Sequence, residues 1–452
     1  MTSDPADAER FPLLTDAGRR MLLRLREHPA APNYNVRLGD RLTADRLARV
    51  RAYADRIRAE PPRWAAGQVP EWVRRFAESC RAEVPFHRHR DDWADEFAAL
   101  PPTSREDIRR EPWAHVPDSA ALDDLMVYWT SGTTGEKLHI PAPPEAPARY
   151  LPLMQAMLAG HGVALSGGER VSIVQICAQR RTMTTASVMS LLDGAGFVKA
   201  NLNPADWRDP ADRVRFLDDC APELITGDPF ALSVLAGLPV TLRPRAIVCS
   251  GAALPGGLRT RLTERFACPV FDLYSSNEAG PVAYSAADGA GHRLLQPGLF
   301  AEILDPDGRP CPPGVRGEIV LTGGVNPMLP LLRYRTGDFA AMEFPPEGPP
   351  VLTGFEGRAP VVFARADGGR FNSVDVSTAL GRLPLPWFRV HQAADGAVSF
   401  RTRCDPDVLA AAAAVLREVF GPGAEISADG GCDDAWDAKT IRYSGGAGLI
   451  DP

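Results

Sequence analysis

Four short apolar runs constrain the fold more than any other feature of the chain. VSIVQI at 171–176, LIT at 224–226, AIVC at 246–249 and VFDL at 270–273 are each long enough for a buried strand. The stretches between them leave room for helices. Parallel strands need such crossovers, so the alternation predicts α/β layers around a parallel sheet. From 300 to 355 the texture shortens. Glycine and proline punctuate runs at 300–304 and 317–322, which fits a small, mostly antiparallel β subdomain.

The two ends read differently. Residues 1 to about 120 are mostly helical in pattern, with apolar residues at helical spacing over 42–58. Ser104-Arg105-Glu106-Asp107 fits a helix cap followed by an acidic first turn. Prolines 29, 32, 61, 62, 101 and 102 break the region into short helices. Near the C-terminus, 388–392 and 398–402 flank an Asp395-Gly396 turn and predict a hairpin. Residues 407–420 predict an alanine-rich helix ended by Gly421, and 425–427 a further strand. The expected organisation is a large N-terminal nucleotide- and substrate-binding domain over 1–356 and a small α+β domain over 357–452.

Composition excludes several classes. The 452 residues carry 50 basic and 57 acidic side chains, a net charge of −7 that argues against a general nucleic-acid binder. Apolar residues at 45% and charged residues at 24% exclude a wholly disordered chain. No apolar run approaches the ~20 residues that span a bilayer. The polar N-terminus lacks a signal-peptide core, so a soluble cytoplasmic protein is expected. The eight cysteines form no CxxC pair and read as reduced thiols. His87-Arg88-His89 has no nearby cysteine partner and reads as a basic turn. Lysine is scarce: only Lys137, Lys199 and Lys439 occur, against 47 arginines. A compact ammonium and a planar fork are not interchangeable at a tight phosphate site, so these positions invite a functional reading, except Lys199, which matches no motif and reads as structural.

The densest chemistry lies in Tyr128-Trp129-Thr130-Ser131-Gly132-Thr133-Thr134-Gly135-Glu136-Lys137. An apolar strand runs into four hydroxyls (Thr130, Ser131, Thr133, Thr134), two glycines and a lysine. Gly132 and Gly135 let the backbone approach an anion, and Lys137 adds charge. In chemical terms this is a phosphate loop, with a polar hairpin tip as the plain alternative. It is not a Walker A loop: two residues separate the glycines and Leu138 follows the lysine.

At this point the chain resembles the adenylate-forming superfamily of acyl-CoA ligases, adenylation domains and luciferases, and in particular its phenylacetate–CoA ligase branch. The loop over 130–137 matches the (S/T)SGTTG-x-K motif of that superfamily. Tyr274-Ser275-Ser276-Asn277-Glu278 resembles its tyrosine with a T-E-like pair, and Tyr334-Arg335-Thr336-Gly337-Asp338 matches Y-R-T-G-D. Gly357-Arg358 resembles the G-R that opens the small domain.

The resemblance implies the large and small domains given above and an ATP- and Mg²⁺-dependent chemistry. It carries catalytic roles to Lys439, Glu278 and Lys137, with Glu278 holding the metal. A helix-start carboxylate is the plain alternative for Glu278, and an Asx-type turn for Asp338. Nucleotide contacts are implied for Thr130, Ser131, Gly132, Thr133, Thr134, Gly135, Lys137, Gly251, Ala252, Ala253, Asp272, Tyr274, Ser275, Asp338 and Arg358. Asp338 and Arg358 would meet the ribose. Ser250, Ser276 and Asn277 would border the acid. For the Ser250-Gly251-Ala252-Ala253 segment a tight turn is an equal alternative. Lys439 sits where relatives place a lysine that bridges the acid and the α-phosphate, although their preceding glycine is absent; a surface lysine is the alternative.

Three departures bear on the reaction. The family hinge G-R-x-D reads Gly357-Arg358-Ala359-Pro360, so a proline replaces the carboxylate and could restrict the rotation that precedes thioester formation. The zinc-site cysteines of some relatives are missing from Tyr284-Ser285-Ala286-Ala287-Asp288, so no zinc is expected. Ser275-Ser276-Asn277 stands where relatives show glycine and threonine. The expected activity is adenylation of a small oxyacid, most plainly an aromatic carboxylate, with transfer to CoA. The alternatives are a diazotase that adenylates nitrite for an aryl amine, transfer to a carrier protein, and a non-catalytic nucleotide-binding relative. Neither a nucleic-acid nor a membrane partner is expected.

Overall fold

The computed structural model describes residues 5–123, 125–130, 138–286, 291–356, 361–431 and 443–445. The fold is α/β. Its strands in chain order are β1 (Met126–Thr130), β2 (Leu138–Ala142), β3 (Val171–Cys177), β4 (Thr185–Met189), β5 (Ala195–Asn201), β6 (Leu224–Gly227), β7 (Ala246–Ser250), β8 (Val270–Ser276), β9 (Gly280–Ser285), β10 (His292–Leu294), β11 (Leu299–Leu304), β12 (Gly317–Gly323), β13 (Leu331–Glu343), β14 (Val351–Glu356), β15 (Val362–Ala364), β16 (Arg370–Asn372), β17 (Phe388–Gln392), β18 (Val398–Thr402), β19 (Ile426–Asp429) and β20 (Tyr443–Gly445). The chain forms two compact units. One comprises Met1–Leu13, Asp40–Ala164 and Leu273–Ala359; the other comprises Leu14–Gly39, Leu165–Asp272 and Pro360–Pro452. Among the described residues, no helix is long and apolar enough to cross a membrane.

In the second unit, β3 lies between β5 and β6 and is parallel to both, and β7 continues the parallel set beyond β6. The four apolar runs form β3, β6, β7 and β8. Between β3 and β6 the chain makes an additional turn of sheet: β5 joins β3, and β4 pairs with β5 antiparallel. The C-terminal residues of this unit have a core of their own, built from Phe363, Val376, Phe388, Val390, Phe400, Leu416 and Phe420. There β17 and β18 form the expected antiparallel hairpin. The helix Pro406–Phe420 begins with proline in its first turn, where the missing N–H costs nothing, and ends at Gly421 with φ +102°. Backbones meet closely at Gly257, whose N–H donates to the Gly381 carbonyl at 3.0 Å. A Cβ at Gly257 would lie 2.3 Å from the Leu383 carbonyl carbon, so only glycine fits.

The first unit is mainly antiparallel from β9 onward, in the order β11-β12-β13-β14-β10-β9. β1 and β2 form a separate antiparallel pair. Its core joins Trp64, Phe97, Ile108, Leu138, Tyr274, Phe300, Ile319 and Tyr334. The predicted helix at 42–58 is Ala44–Ala59, capped by the Thr43 side chain. Ser104 caps the helix Arg105–Arg110 in a full capping box with Asp107.

The approach to that helix is stitched to β13. The Thr103 N–H donates to the Arg333 carbonyl at 2.9 Å, its carbonyl accepts from the Arg335 N–H at 2.8 Å, and its hydroxyl donates to the Leu332 carbonyl at 2.9 Å. Arg333 itself is 1% exposed. Its guanidinium faces Glu302 at 3.2 and 3.3 Å and donates to the carbonyls of Ala98, at 2.7 Å, and Leu100. A buried arginine with its carboxylate and two carbonyls thus fixes residues 98–103 against the strand that carries Asp338.

A second buried polar group has no such support. His87 and His115 are each 2% exposed, and Phe86 stacks on His115 at 4.2 Å between ring centroids. The Nδ1 of His87 and the Nε2 of His115 have no hydrogen-bond partner. Burial, then the neighbouring His115 and Arg90, hold His87 down to about 3. Burial holds His115 down to about 4, with Asp107 acting in the opposite sense and Arg90 in the same sense. Both rings bind protons more readily in the unfolded chain. Their neutral packing is therefore fully effective above about pH 6.5, the ordinary histidine value, and costs progressively more stability as the pH falls toward the folded values. The urea midpoint is expected to drop between pH 7.5 and 5.0, and His87→Leu, which needs no hydrogen bond, is expected to flatten that drop. Equal pH slopes for the two proteins would exclude this origin.

Candidate active site

Two of the acids singled out by sequence, Glu278 and Asp338, lie in the first unit. Glu278 sits in the turn between β8 and β9 and is 6% exposed. Its Oε1 accepts two hydrogen bonds, from the Arg105 guanidinium at 2.7 Å and from the Tyr334 hydroxyl at 3.2 Å. The turn is set locally by Ser276, whose Oγ accepts the Ala279 N–H at 3.0 Å. The Ser276 carbonyl accepts from the Tyr150 hydroxyl at 3.4 Å. Burial, then the Glu278 charge, push the Tyr334 hydroxyl well above the usual phenol range, so it remains a donor to that carboxylate.

Asp338 lies on β13, four residues beyond Tyr334. Its Oδ2 accepts from the Tyr274 hydroxyl at 2.8 Å. Its N–H donates to Thr336 Oγ1 at 3.1 Å, while the Thr336 hydroxyl donates to the Ile319 carbonyl at 2.8 Å. The Gly337 N–H donates to Glu318 at 3.0 Å. Tyr274 is buried, and burial followed by the Asp338 charge raises its hydroxyl well above the ordinary value. Two tyrosines on neighbouring segments therefore hold two carboxylates, Tyr274 on Asp338 and Tyr334 on Glu278. Ser275 and Ser276 are half-buried at the end of β8, and Asn277 is exposed beside them.

The second unit holds Ser250, Gly251, Ala252, Ala253 and Asp272, while Thr130 belongs to the first. Ser250 ends β7 and Gly251 follows with φ +88°. No atom lies within 4 Å of a Cβ built on Gly251, so this turn is open on one side. Ala252 is exposed and Ala253 half-buried. Asp272 is 6% exposed, and its Oδ2 accepts the Leu254 N–H at 3.1 Å, which fastens the end of the 250–253 turn. Thr130 ends β1. Ser131, Gly132, Thr133, Thr134, Gly135 and Lys137 lie outside the described residues, as do Arg358, Pro360 and Lys439.

Sequence reasoning missed Arg105, Tyr150 and the role of Tyr334. Arg105 was hidden because Ser104 and Asp107 fully account for that segment as a helix cap. Tyr334 stood in the Y-R-T-G-D motif without a part of its own. Its position four residues before Asp338 on one strand was the available signal.

Glu278 offers a hard oxygen donor. Among the described residues, no group of three or more His, Cys, Asp or Glu side chains is placed to hold a metal. One carboxylate suits magnesium, which keeps water and takes phosphate oxygens for its other positions.

Residues 148–328 match the family of AMP-binding enzymes. Two crystal structures of 2-hydroxyisobutyryl-CoA ligase in the postadenylation state, one with 2-HIB-AMP and one with R3-HIB-AMP, superpose with TM-scores of 0.58 and 0.57. Each is 19% identical and covers 88% of both chains. Residues 148–328 are thus similar to AMP-binding enzymes, and the chain shares the fold of these two ligase structures. Among characterised relatives, it is 25% identical over 292 residues to phenylacetate-coenzyme A ligase of Pseudomonas putida. That match spans 62% of this chain and 63% of the relative.

Proposed function

We propose that this protein is an AMP-forming ligase that adenylates a small carboxylic acid with ATP and passes the acyl group to CoA. The observation that carries the reading is the pairing of Glu278 and Asp338, two carboxylates fixed by buried tyrosines in a chain similar to AMP-binding enzymes over residues 148–328. In the first half-reaction a carboxylate oxygen attacks the α-phosphorus, the bond from that phosphorus to the bridging oxygen breaks, and pyrophosphate leaves. Asp338 is suited to accept both ribose hydroxyls, since Tyr274 orients its carboxylate from behind. Glu278 would hold magnesium, whose contribution is to neutralise charge on the triphosphate. The 130–137 loop would cradle the phosphates, and Lys439 would meet the charge that develops between acid and phosphorus. The thiol of CoA then displaces AMP. An aromatic acid is the first expectation, because the curated relative acts as a phenylacetate–CoA ligase.

The test is release of pyrophosphate and AMP from ATP and Mg²⁺ across a panel of aryl and short aliphatic acids. It is run with and without CoA, with a carrier protein, and with nitrite plus aryl amines. Acid-dependent release that rises with CoA is expected. Release that requires nitrite and ignores CoA would assign the chain to nitrogen chemistry, with Pro360 in place of the hinge carboxylate as its first correlate. No pyrophosphate under any condition would leave a nucleotide-binding protein without turnover.

A further inference from the structure

We propose that Arg105 is a stand-in cation for Glu278, balancing the carboxylate that the metal takes when nucleotide binds, so that metal entry exchanges one positive charge for another. The inference rests on the reading of Glu278 as a metal ligand. Its basis is the position of the pair. Glu278 is almost wholly buried, and an ionised carboxylate in such a place requires a partner. Arg105 supplies it at 2.7 Å, on the same Oε1 that accepts the Tyr334 hydroxyl. The two side chains differ in accessibility: that of Glu278 is 7% exposed and that of Arg105 is 37% exposed. The carboxylate is therefore the fixed member and the guanidinium the one that solvent and ligands reach.

A metal cation and the guanidinium compete for the single negative charge of one carboxylate. Magnesium takes oxygen ligands and is drawn by the same negative charge that the guanidinium now balances. Tyr334 is neutral and remains as the fixed hydrogen-bond donor, held by its own place in β13. The neighbourhood on the Arg105 side is equally fixed, because Thr103 is bound to β13 through its N–H, carbonyl and hydroxyl. The helix that carries Arg105 thus stays in place while its side chain leaves. The geometry assigns Arg105 a positioning role: it keeps the acid oriented and charge-balanced in the empty enzyme and sets the metal concentration at which the site fills.

The sign of the effect separates this role from a purely structural one. If Arg105 merely braced Glu278, its loss would loosen the carboxylate and weaken metal binding. Displacement predicts the reverse. The experiment measures Mn²⁺ affinity by the loss of the free-ion electron paramagnetic resonance signal, with saturating α,β-methylene-ATP, which cannot be cleaved at the reacting bond. R105Q is expected to bind Mn²⁺ about three- to tenfold more tightly than the wild-type protein, the range for losing one partly exposed charged hydrogen bond. R105K, which restores a positive charge, is expected to return most of the way to wild type. R105M, which keeps the aliphatic stem, carries the same expectation as R105Q should the latter fold poorly. E278Q is expected to weaken Mn²⁺ binding.

Unchanged or weaker Mn²⁺ binding in R105Q and R105M, with weakened binding in E278Q, would overturn the exchange while leaving Glu278 as the metal ligand. Unchanged binding in E278Q would remove Glu278 from the metal site and overturn both readings together.

Discussion

Arg333→Met should destabilise the protein by about 3–5 kcal/mol, the cost of leaving a buried carboxylate without its partner. Glu302 is 8% exposed and faces Arg333 through two contacts, at 3.2 and 3.3 Å. The substitution also releases the carbonyls of Ala98 and Leu100. The companion variant Arg333→Met/Glu302→Leu removes both charges, and replacing a whole buried pair by apolar groups is often nearly neutral. The double variant should therefore recover much of the stability lost in the single one. Urea denaturation of the two variants decides the matter: equal losses would mean that the carbonyl contacts, not the ion pair, dominate. Because Tyr334 follows Arg333 directly, the single variant is also expected to raise the ATP concentration needed for turnover.

Lys439→Ala should slow pyrophosphate release by about 10²–10³-fold, the usual size of removing one preorganised charge from a transition state. Little change in the urea midpoint should accompany it. Two properties support the expectation: its place in the C-terminal segment where the family resemblance implies a lysine, and the scarcity of lysine in a chain with 47 arginines. Lys439→Arg is informative beside it, because a guanidinium brings the charge in a different shape. Adenylation at the wild-type rate in Lys439→Ala would remove this residue from the mechanism. A loss confined to the thioester step would move its role to the second half-reaction.

The legibility of the chain varied with how local each feature is. β3, β6 and β7 were readable because strands buried on both faces appear as continuous apolar runs. β5 was not, although it lies beside β3. Its sequence, AGFVKAN, mixes alanine and glycine with Lys199 and Asn201, and small residues pack in the sheet without producing an apolar run. β4, only TASVM, is short and interrupted by hydroxyls. The helix at 44–59 and the cap at Ser104 were readable because spacing and capping act within a few residues.

The same distinction holds in the site. Glu278 and Asp338 stand in contiguous motifs, and so their chemistry could be proposed from the chain alone. The tyrosine hydroxyls that hold them could not be assigned, because Tyr274 and Asp338 are 64 residues apart and Tyr334 and Glu278 are 56 apart. Arg105 is 173 residues from Glu278, and nothing near it in sequence signals an anionic partner.

The stitching of residues 98–103 to β13 has a consequence for protein engineering. The family match spans 148–328, which invites treating that segment as a cassette for exchange between homologues. Such a cassette would carry Glu278 and leave behind Arg105, Tyr334 and Asp338. A graft made at those borders would import an acid into a foreign setting of helix and strand, and the recipient's own counterparts would have to suit it. Useful junctions lie before Phe97 and after β14, so that the arginine, both tyrosines and both acids travel as a single inheritance.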